Sequence, residues 1–375
     1  MAQPSNTPVP MADVLVAGGG ITGLTAALGI ARQRHRVLVL EEADAFTERE
    51  AGIRLSRDTL RALDRLGVGG AVRDRAVRIE EMRLVEGATG ASLASVRGPA
   101  EGRYARRRAA SYAVRRGDLL DVLLTACRGH PCIDLRTAAP VASYALHGHR
   151  VTAVLGTGVR YAGDALIGAG GPCSAVHRQV AGGGHRIARS VFYHAPVPVA
   201  RLPAGVSAGI FTVWARPTWQ VVQSPAGRGG HVDLSAHCDL PAAPEAADGA
   251  PVDAERVVEH CADAGPPVRE LLRLGEDWRM WVPCEGAPAV RWADHRVALA
   301  GDTDHPLLPS AAAGVRDRTL QDVLHLGELM DCDASDFPQA FAAYAEHRRR
   351  AAARVRDRML QAVCGGGRYD RITGL

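Results

Sequence analysis

Strand-like apolar blocks run into glycine at three widely separated places along this chain. Val14-Leu15-Val16 leads to Gly18-Gly19-Gly20, Ala165-Leu166-Ile167 to Gly168-Ala169-Gly170-Gly171, and the block Arg296–Ala300 to Gly301-Asp302. A short apolar run with no polar alternation predicts a strand buried on both faces. Residues compatible with a helix follow each turn. Leu24 to Arg32 has helical spacing, and the helix after the third turn carries apolar Leu320, Val323, Leu324 and Leu326. Arg36 to Leu40 predicts a further buried strand, with Glu41 at its carboxyl end.

From about Ser190 to Trp281 the pattern changes. "GIFTVWARPTWQVVQSP" and "GGHVDLSAHCDL" predict antiparallel strands joined by Gly/Pro turns, and "DAERVVEHCADAGPPVRELLRL" predicts helices. The whole reads as α/β: a Rossmann-like domain with an α+β domain built on an antiparallel or mixed sheet.

Gly18-Gly19-Gly20-Ile21-Thr22-Gly23 matches G-x-G-x-x-G between a predicted strand and a predicted helix. Gly18 permits a sharp turn, Gly20 lets the backbone approach a pyrophosphate, and Gly23 lets the helix lie close to the strand. Amides at the helix start would face the phosphates, helped by the helix dipole. Glu41 can accept hydrogen bonds from ribose hydroxyls and would repel a 2′-phosphate. The context points to an adenine dinucleotide and disfavours NADP at this site; FAD and NAD both remain open on the motif alone.

Composition removes several alternatives. The chain has 375 residues, 47% of them hydrophobic, enough for two domains or one large domain with an insertion. Its net charge is +4, and no basic block is long enough to argue for nucleic acid. Arg106-Arg107-Arg108 and Arg348-Arg349-Arg350 read as solvated faces. All 45 basic residues are Arg, so Schiff-base and Walker-A lysines are excluded. The eight cysteines form no C-x-x-C pair and read as free thiols, with no metal site. Val14 to Ala31 carries no charge, but its Gly and Thr content makes a poor membrane span. The leader Met1–Asp13 lacks Arg and Lys, which argues against a signal peptide. A cytoplasmic protein acting on neither membrane nor nucleic acid is expected.

With these motifs in this order, the chain resembles the group A FAD-dependent aromatic monooxygenases of the para-hydroxybenzoate and salicylate hydroxylase type. The carrying segments are the G-x-G-x-x-G with Glu41, "AGIRLSRDTLRALDRLGV", "AVRRGDLLDVLLTA", "GDALIGAGG", "GDTDHPLLP" and "FAAYAEHRRRAAARV". The resemblance implies a discontinuous FAD-binding domain over 11–72, 100–185 and 285–375, and a substrate domain over 73–99 and 186–284. It implies cofactor contacts from Gly18, Gly20, Ile21, Thr22, Gly23, Glu41, Arg116, Val141, Asp302, Pro309, Ala312, Ala313 and Gly314. Asp302 would bond the ribityl chain, and Pro309 to Gly314 would cover the flavin's pyrimidine edge. The turn at Gly168–Gly171 would belong to the same FAD domain.

The implied activity is hydroxylation of an aromatic or polycyclic small molecule through a flavin C4a-hydroperoxide. NADPH or NADH is the transient reductant and O2 the co-substrate, in a monomer or homodimer. Candidate pocket residues are Tyr193, His194, Trp214, Trp219, Gln223 and His231, with His231 and Tyr193 as the candidate catalytic pair. Two departures stand out. Gly170 takes the place of the family's usual Asp, with His177 where Arg is usual, and Ala312-Ala313-Gly314 replaces the usual Gly-Gln-Gly. They motivate one alternative, a flavoprotein that has lost NAD(P)H-driven oxygenation and performs a cyclisation or rearrangement; a second is a non-enzymatic binder of an aromatic ligand on an inherited fold.

Overall fold

The computed structural model describes residues 12–47, 52–97, 111–182, 185–187, 190–203, 206–227, 230–240, 249–282, 284–286, 291–301 and 309–364. Of these, the side chains of 185–187, 284–286, 309–318 and 352–364 are not described. The buried apolar runs become a parallel sheet. β1 (Val14–Ala17) pairs with β2 (Val37–Leu40) on one side and β12 (Ala165–Gly168) on the other. β8 (Ile133–Arg136) extends the sheet beyond β2, and β22 (Val297–Leu299) extends it beyond β12. β21 (Ala293–Asp294) closes that edge antiparallel, giving the order β21-β22-β12-β1-β2-β8. The core strands β1, β2, β12 and β22 are buried at every position, which is why their sequences show no alternation.

Helices cover this sheet. α1 (Ile21–Ala31), α4 (Arg116–Arg128) and α8 (Pro309–Leu329) pack on one side, where Leu24, Leu28, Leu119, Leu123, Leu320 and Leu324 share one core. α2 (Arg57–Arg65), α3 (Gly69–Arg75) and the first turns of α9 (Phe337–Cys364) join that core. α1 begins three residues earlier than the apolar spacing predicts, because Gly20 serves as its N-cap and the motif residues Ile21, Thr22 and Gly23 form its first turn. On the opposite face lie α5 (Ala175–Ala181) and the antiparallel meander β9 (Val141–His147), β10 (Arg150–Leu155) and β11 (Arg160–Gly163).

A three-stranded sheet, in the order β3 (Gly52–Leu55), β7 (Tyr112–Arg115), β4 (Val77–Arg78), stands between this layer and a larger sheet. The larger sheet has eight strands. Their order is β18 (Ala250–Pro251), β19 (Arg279–Trp281), β14 (Ser190–Pro198), β17 (His231–Asp239), β16 (Trp219–Ala226), β15 (Ile210–Ala215), β5 (Glu81–Glu86) and β6 (Ser92–Arg97). It is mixed: β14 through β17 are antiparallel, whereas β5 runs parallel to β15 with Glu81 opposite Ile210. α6 (Ala254–His260) and α7 (Pro266–Arg273) pack on its outer face. A small pair, β13 (His185–Ile187) with β20 (Cys284–Gly286), lies apart from both.

Two expectations are corrected here. Cys173 is disulfide-bonded, so the cysteines are not all free. Arg348 is buried rather than solvated. Its guanidinium bonds the Asp322 carboxylate, donates to the Gly301 carbonyl at 2.9 Å and lies over the Trp292 ring at 4.2 Å. Among the described residues, no helix is long and apolar enough to cross a membrane.

Candidate cofactor cleft and substrate face

The three glycine turns meet at the carboxyl edge of the parallel sheet. Ala17 pairs with Gly168 and Gly168 with Leu299, so Gly18, Ala169-Gly170 and Gly301 leave adjacent strands side by side. Ligands of open α/β sheets bind outside this edge. Gly18 has φ +112°, and a Cβ there would lie 2.7 Å from the Ala169 carbonyl. A Cβ on Gly23 would lie 1.9 Å from the Gly18 carbonyl oxygen, so helix and turn are in direct backbone contact. The turn at Gly168–Gly171 is thus the neighbour of the first glycine turn in one sheet.

A cleft of about 270 Å³ opens there, lined by Gly18, Gly20, Leu40, Glu41, Val141 and Gly170 together with Ala17, Glu42, Thr47, Ala169, Ser174 and Val176. Glu41 reaches into it from the end of β2. Its Oε2 accepts from the Gly19 amide at 2.6 Å and its Oε1 from the Ala43 amide at 3.0 Å. Val141 lines the cleft as the first residue of β9. No side chain caps α1, which leaves its first amides, those of Ile21, Thr22 and Gly23, without an intrahelical partner. Glycines at the closest approaches, an uncapped helix end and a carboxylate at the strand end fit an adenine dinucleotide. Gly19 belongs with them although it is a variable position of the motif: a Cβ there would meet Phe46 at 2.4 Å.

Arg116 is the first residue of α4, directly after Arg115, which pairs with Gly52 of β3. Asp302 lies outside the described residues. Pro309 opens α8, but the side chains of Pro309, Ala312 and Ala313 lie outside the described residues, and Gly314 is described only as part of that helix.

The eight-stranded sheet has two distinct faces. Val191, Tyr193, Ala195 and Val197 of β14, Trp214 of β15, Trp219 and Val221 of β16, and Leu234 of β17 pack with Val257, Leu271 and Leu272 of α6 and α7. The opposite face meets the three-stranded sheet: Ala113 of β7 shares a cluster with Phe211 and Val213. Gly52 of β3 sits so close that a Cβ would lie 2.9 Å from Ser224 Oγ and 3.2 Å from Asp233 Oδ2. α8 also contacts both β3 and β16. The face toward the cofactor domain is therefore the one carrying His194, Ser224 and Asp233.

This parity divides the candidate pocket residues between the two faces. Tyr193 is fully buried on the outer face, with its hydroxyl 2.6 Å from His260 Nδ1, and burial pushes its pKa well above the ordinary value. Trp214, Trp219 and Gln223 share that face; Trp219 donates to Asp263, and Gln223 donates to the Ser207 carbonyl at 2.9 Å. Successive strand side chains point to opposite faces, so a residue next to the right one points away from the cofactor. Only His194 and His231 have the correct parity, and His231 is exposed at the start of β17. Ser224 and Asp233, buried on the same face, do not stand out in a strand pattern.

The family model described as FAD binding domain matches residues 11–359. A 3-hydroxybenzoate 6-hydroxylase of Aquipseudomonas alcaligenes is 34% identical over 80% of this chain and 76% of that protein. A 3-amino-4-hydroxybenzoate 2-monooxygenase of Streptomyces platensis is 28% identical over 89% of this chain and 83% of its own. In fold, the chain is similar to a salicylate hydroxylase solved with substrate, with TM-score 0.77 and 21% identity, covering 98% of this chain and 93% of that one. With the glycine cleft, Glu41 and the two-sheet frame, these matches make the chain a member of the FAD-dependent aromatic monooxygenases, an oxidoreductase whose cofactor is FAD.

Proposed function

We propose that the chain hydroxylates an aromatic small molecule held between the carboxyl edge of the parallel sheet and the inner face of the eight-stranded sheet. Gly18, Gly20, Ile21, Thr22 and Gly23 would present amides to the diphosphate, and Glu41 would bind the ribose. Val141 would flank the adenine. Arg116, Asp302, Pro309, Ala312, Ala313 and Gly314 would complete the cofactor contacts toward the ring system. When bound, FAD supplies the activation of O2, with NADPH or NADH as the electron source. The chain's own task is to exclude water, orient the ring and stabilise charge. Tyr193 has no direct part in this, and His231 lies too far out on the strand to be the residue nearest the reacting ring. The enzyme is taken as cytoplasmic, a monomer or homodimer acting on a free small molecule.

One observation carries the reading: the face that meets β3 and α8 is the one bearing buried His194, Ser224 and Asp233, while the outer face is filled by α6 and α7. The test is the absorbance spectrum of the purified protein before and after reduced nicotinamide is added under argon with a phenolic compound. A bound flavin spectrum that bleaches, then returns with hydroxylated product on admitting air, is the expected result. A flavin that never bleaches overturns the reading.

A further inference from the structure

The third glycine turn is held from outside the cleft. The Ala300 amide still donates to the Gly168 carbonyl of the neighbouring strand, at 2.9 Å. One residue on, the Gly301 carbonyl accepts from Arg348 Nη2, also at 2.9 Å. Gly301 has φ +117°, and a Cβ on it would lie 3.7 Å from Thr22 Cγ2. The turn therefore stands against the first turn of α1, whose leading amides lack intrahelical partners.

Arg348 reaches this carbonyl from α9. That helix packs on β21 and β22, and none of its described residues lines the cleft. Arg348 is buried, with Nη1 bonded to the Asp322 carboxylate of α8 and its plane over the Trp292 ring at 4.2 Å. The other Asp322 oxygen lies 3.2 Å from His347 Nε2. One guanidinium thus joins α8, α9 and the end of the parallel sheet.

A well-packed apolar side chain would fill such a place at lower cost than a buried ion pair. Local choices that oppose stability concentrate where function needs them. At Gly301 the need is one of orientation. A glycine at positive φ leaves the direction of its carbonyl to its surroundings. An oxygen turned into the cleft would set negative partial charge against a diphosphate, at an edge where amides should face the ligand. A charge-assisted bond to Arg348 holds that oxygen on the α9 side.

We propose that Arg348 is a positioning residue for FAD. Acting through the Gly301 carbonyl, it keeps the third glycine turn against Thr22 and keeps an acceptor oxygen out of the diphosphate's way. This rests on the proposed function, in which the amides of Ile21, Thr22 and Gly23 receive the diphosphate, and it adds the residue that sets the facing wall. Arg348 itself touches no part of the cofactor.

Asp322 belongs to the same ion pair, so its variants separate positioning from plain stability. FAD affinity by flavin fluorescence and phosphorus NMR of the bound diphosphate are measured for wild type, R348M, D322N and R348M/D322N, beside each Tm. R348M should weaken FAD binding at least about ten-fold, the scale of one charge-assisted hydrogen bond, and move the diphosphate resonances. D322N should lower Tm yet keep the FAD Kd within about two-fold, because Nη2 still holds the Gly301 carbonyl. The double variant should regain part of the Tm while its Kd and resonances stay those of R348M. Should R348M alone fail to fold, D322N and the double variant carry the comparison. Wild-type affinity or resonances in the double variant overturn the proposal. So does a loss of affinity that follows Tm across the variants, which would make Arg348 purely structural. These readouts concern binding alone, so an enzyme that behaves as expected here but never hydroxylates a phenol would count against the proposed function and leave this result standing.

Discussion

The Glu41 carboxylate accepts a 2.6 Å hydrogen bond from the amide of Gly19, tying the end of β2 to the glycine turn after β1. One oxygen thus shapes the turn, while the other accepts from Ala43. Glu41→Ala loses both bonds and the acceptor for ribose. FAD affinity should fall about 10- to 100-fold, the worth of one or two charge-assisted bonds, with Glu41→Gln in between. Flavin fluorescence titration reads this directly, and an unchanged Kd would remove Glu41 from the cleft.

Gly23→Ala is predicted to be far worse than its size suggests. The added methyl would start 1.9 Å from the Gly18 carbonyl oxygen, and neither backbone can yield without lifting α1 off β1. The expected outcome is a protein isolated without flavin and with a lowered Tm. Gly170→Asp should fold normally, since the one tight contact of its Cβ is Ser174 Cβ at 3.0 Å, in the cleft wall, with Ser174 Oγ and the Ala17 carbonyl oxygen at ordinary distances of 3.6 and 3.7 Å. Its rate of flavin reduction by NADPH compares the nicotinamide reactivity of a carboxylate at this edge with that of glycine.

Arg348 links α9 to the Asp322 carboxylate and to the carbonyl of Gly301. Arg348→Met leaves Asp322 with only the partly exposed His347, 3.2 Å away. Removing one member of a buried pair typically costs about 3–5 kcal/mol. The double variant Arg348→Met/Asp322→Asn should recover part of the loss. Urea denaturation of the three proteins checks the ordering, and a single variant as stable as wild type would refute it.

Tyr193→Phe should leave turnover within about two-fold and cost roughly 1 kcal/mol of stability, the value of its bond to His260. A large loss of kcat with an unchanged Tm would return Tyr193 to the reacting face.

Burial, followed by Arg178 and Arg256 respectively, holds the pKa values of His177 and His260 below the ordinary 6.5. Between those depressed values and 6.5 the unfolded chain binds more protons than the folded one, so stability rises with pH. The contribution is complete above 6.5 and is lost as pH falls below it. Glu81, held at about 2 chiefly by Arg83, loses its contribution only at much lower pH. Tm should therefore drop between pH 7.5 and 5.5, and the drop should be shallower in His177→Gln.

The cofactor cleft was readable because its demands fall on residue type. Only glycine tolerates the contacts at Gly18 and Gly23, and Glu41, the first polar residue after an apolar strand, needs no register to be noticed. The substrate face was not, because its membership depends on which side of each strand turns inward. The apolar set Val191, Tyr193, Ala195 and Val197 marks the helix-covered side and puts His194 on the other, a period-two signal that the aromatic content of the segment obscured. Arg348 was hidden within a triple-arginine run. Its helical spacing from Phe337, Phe341 and Tyr344, all fully buried, would have placed it on the inward stripe.

The parallel pairing of β5 with β15 also matters before the enzyme is complete. Glu81 must wait for Ile210, 129 positions later, before its strand gains a neighbour on that side. At cellular translation speeds the delay is on the order of ten seconds. Throughout that time the β5–β6 hairpin, with Leu93 and Val96 outward, presents open backbone beside the ribosome. A nascent chain of this design calls for a chaperone at that moment rather than at the end of synthesis.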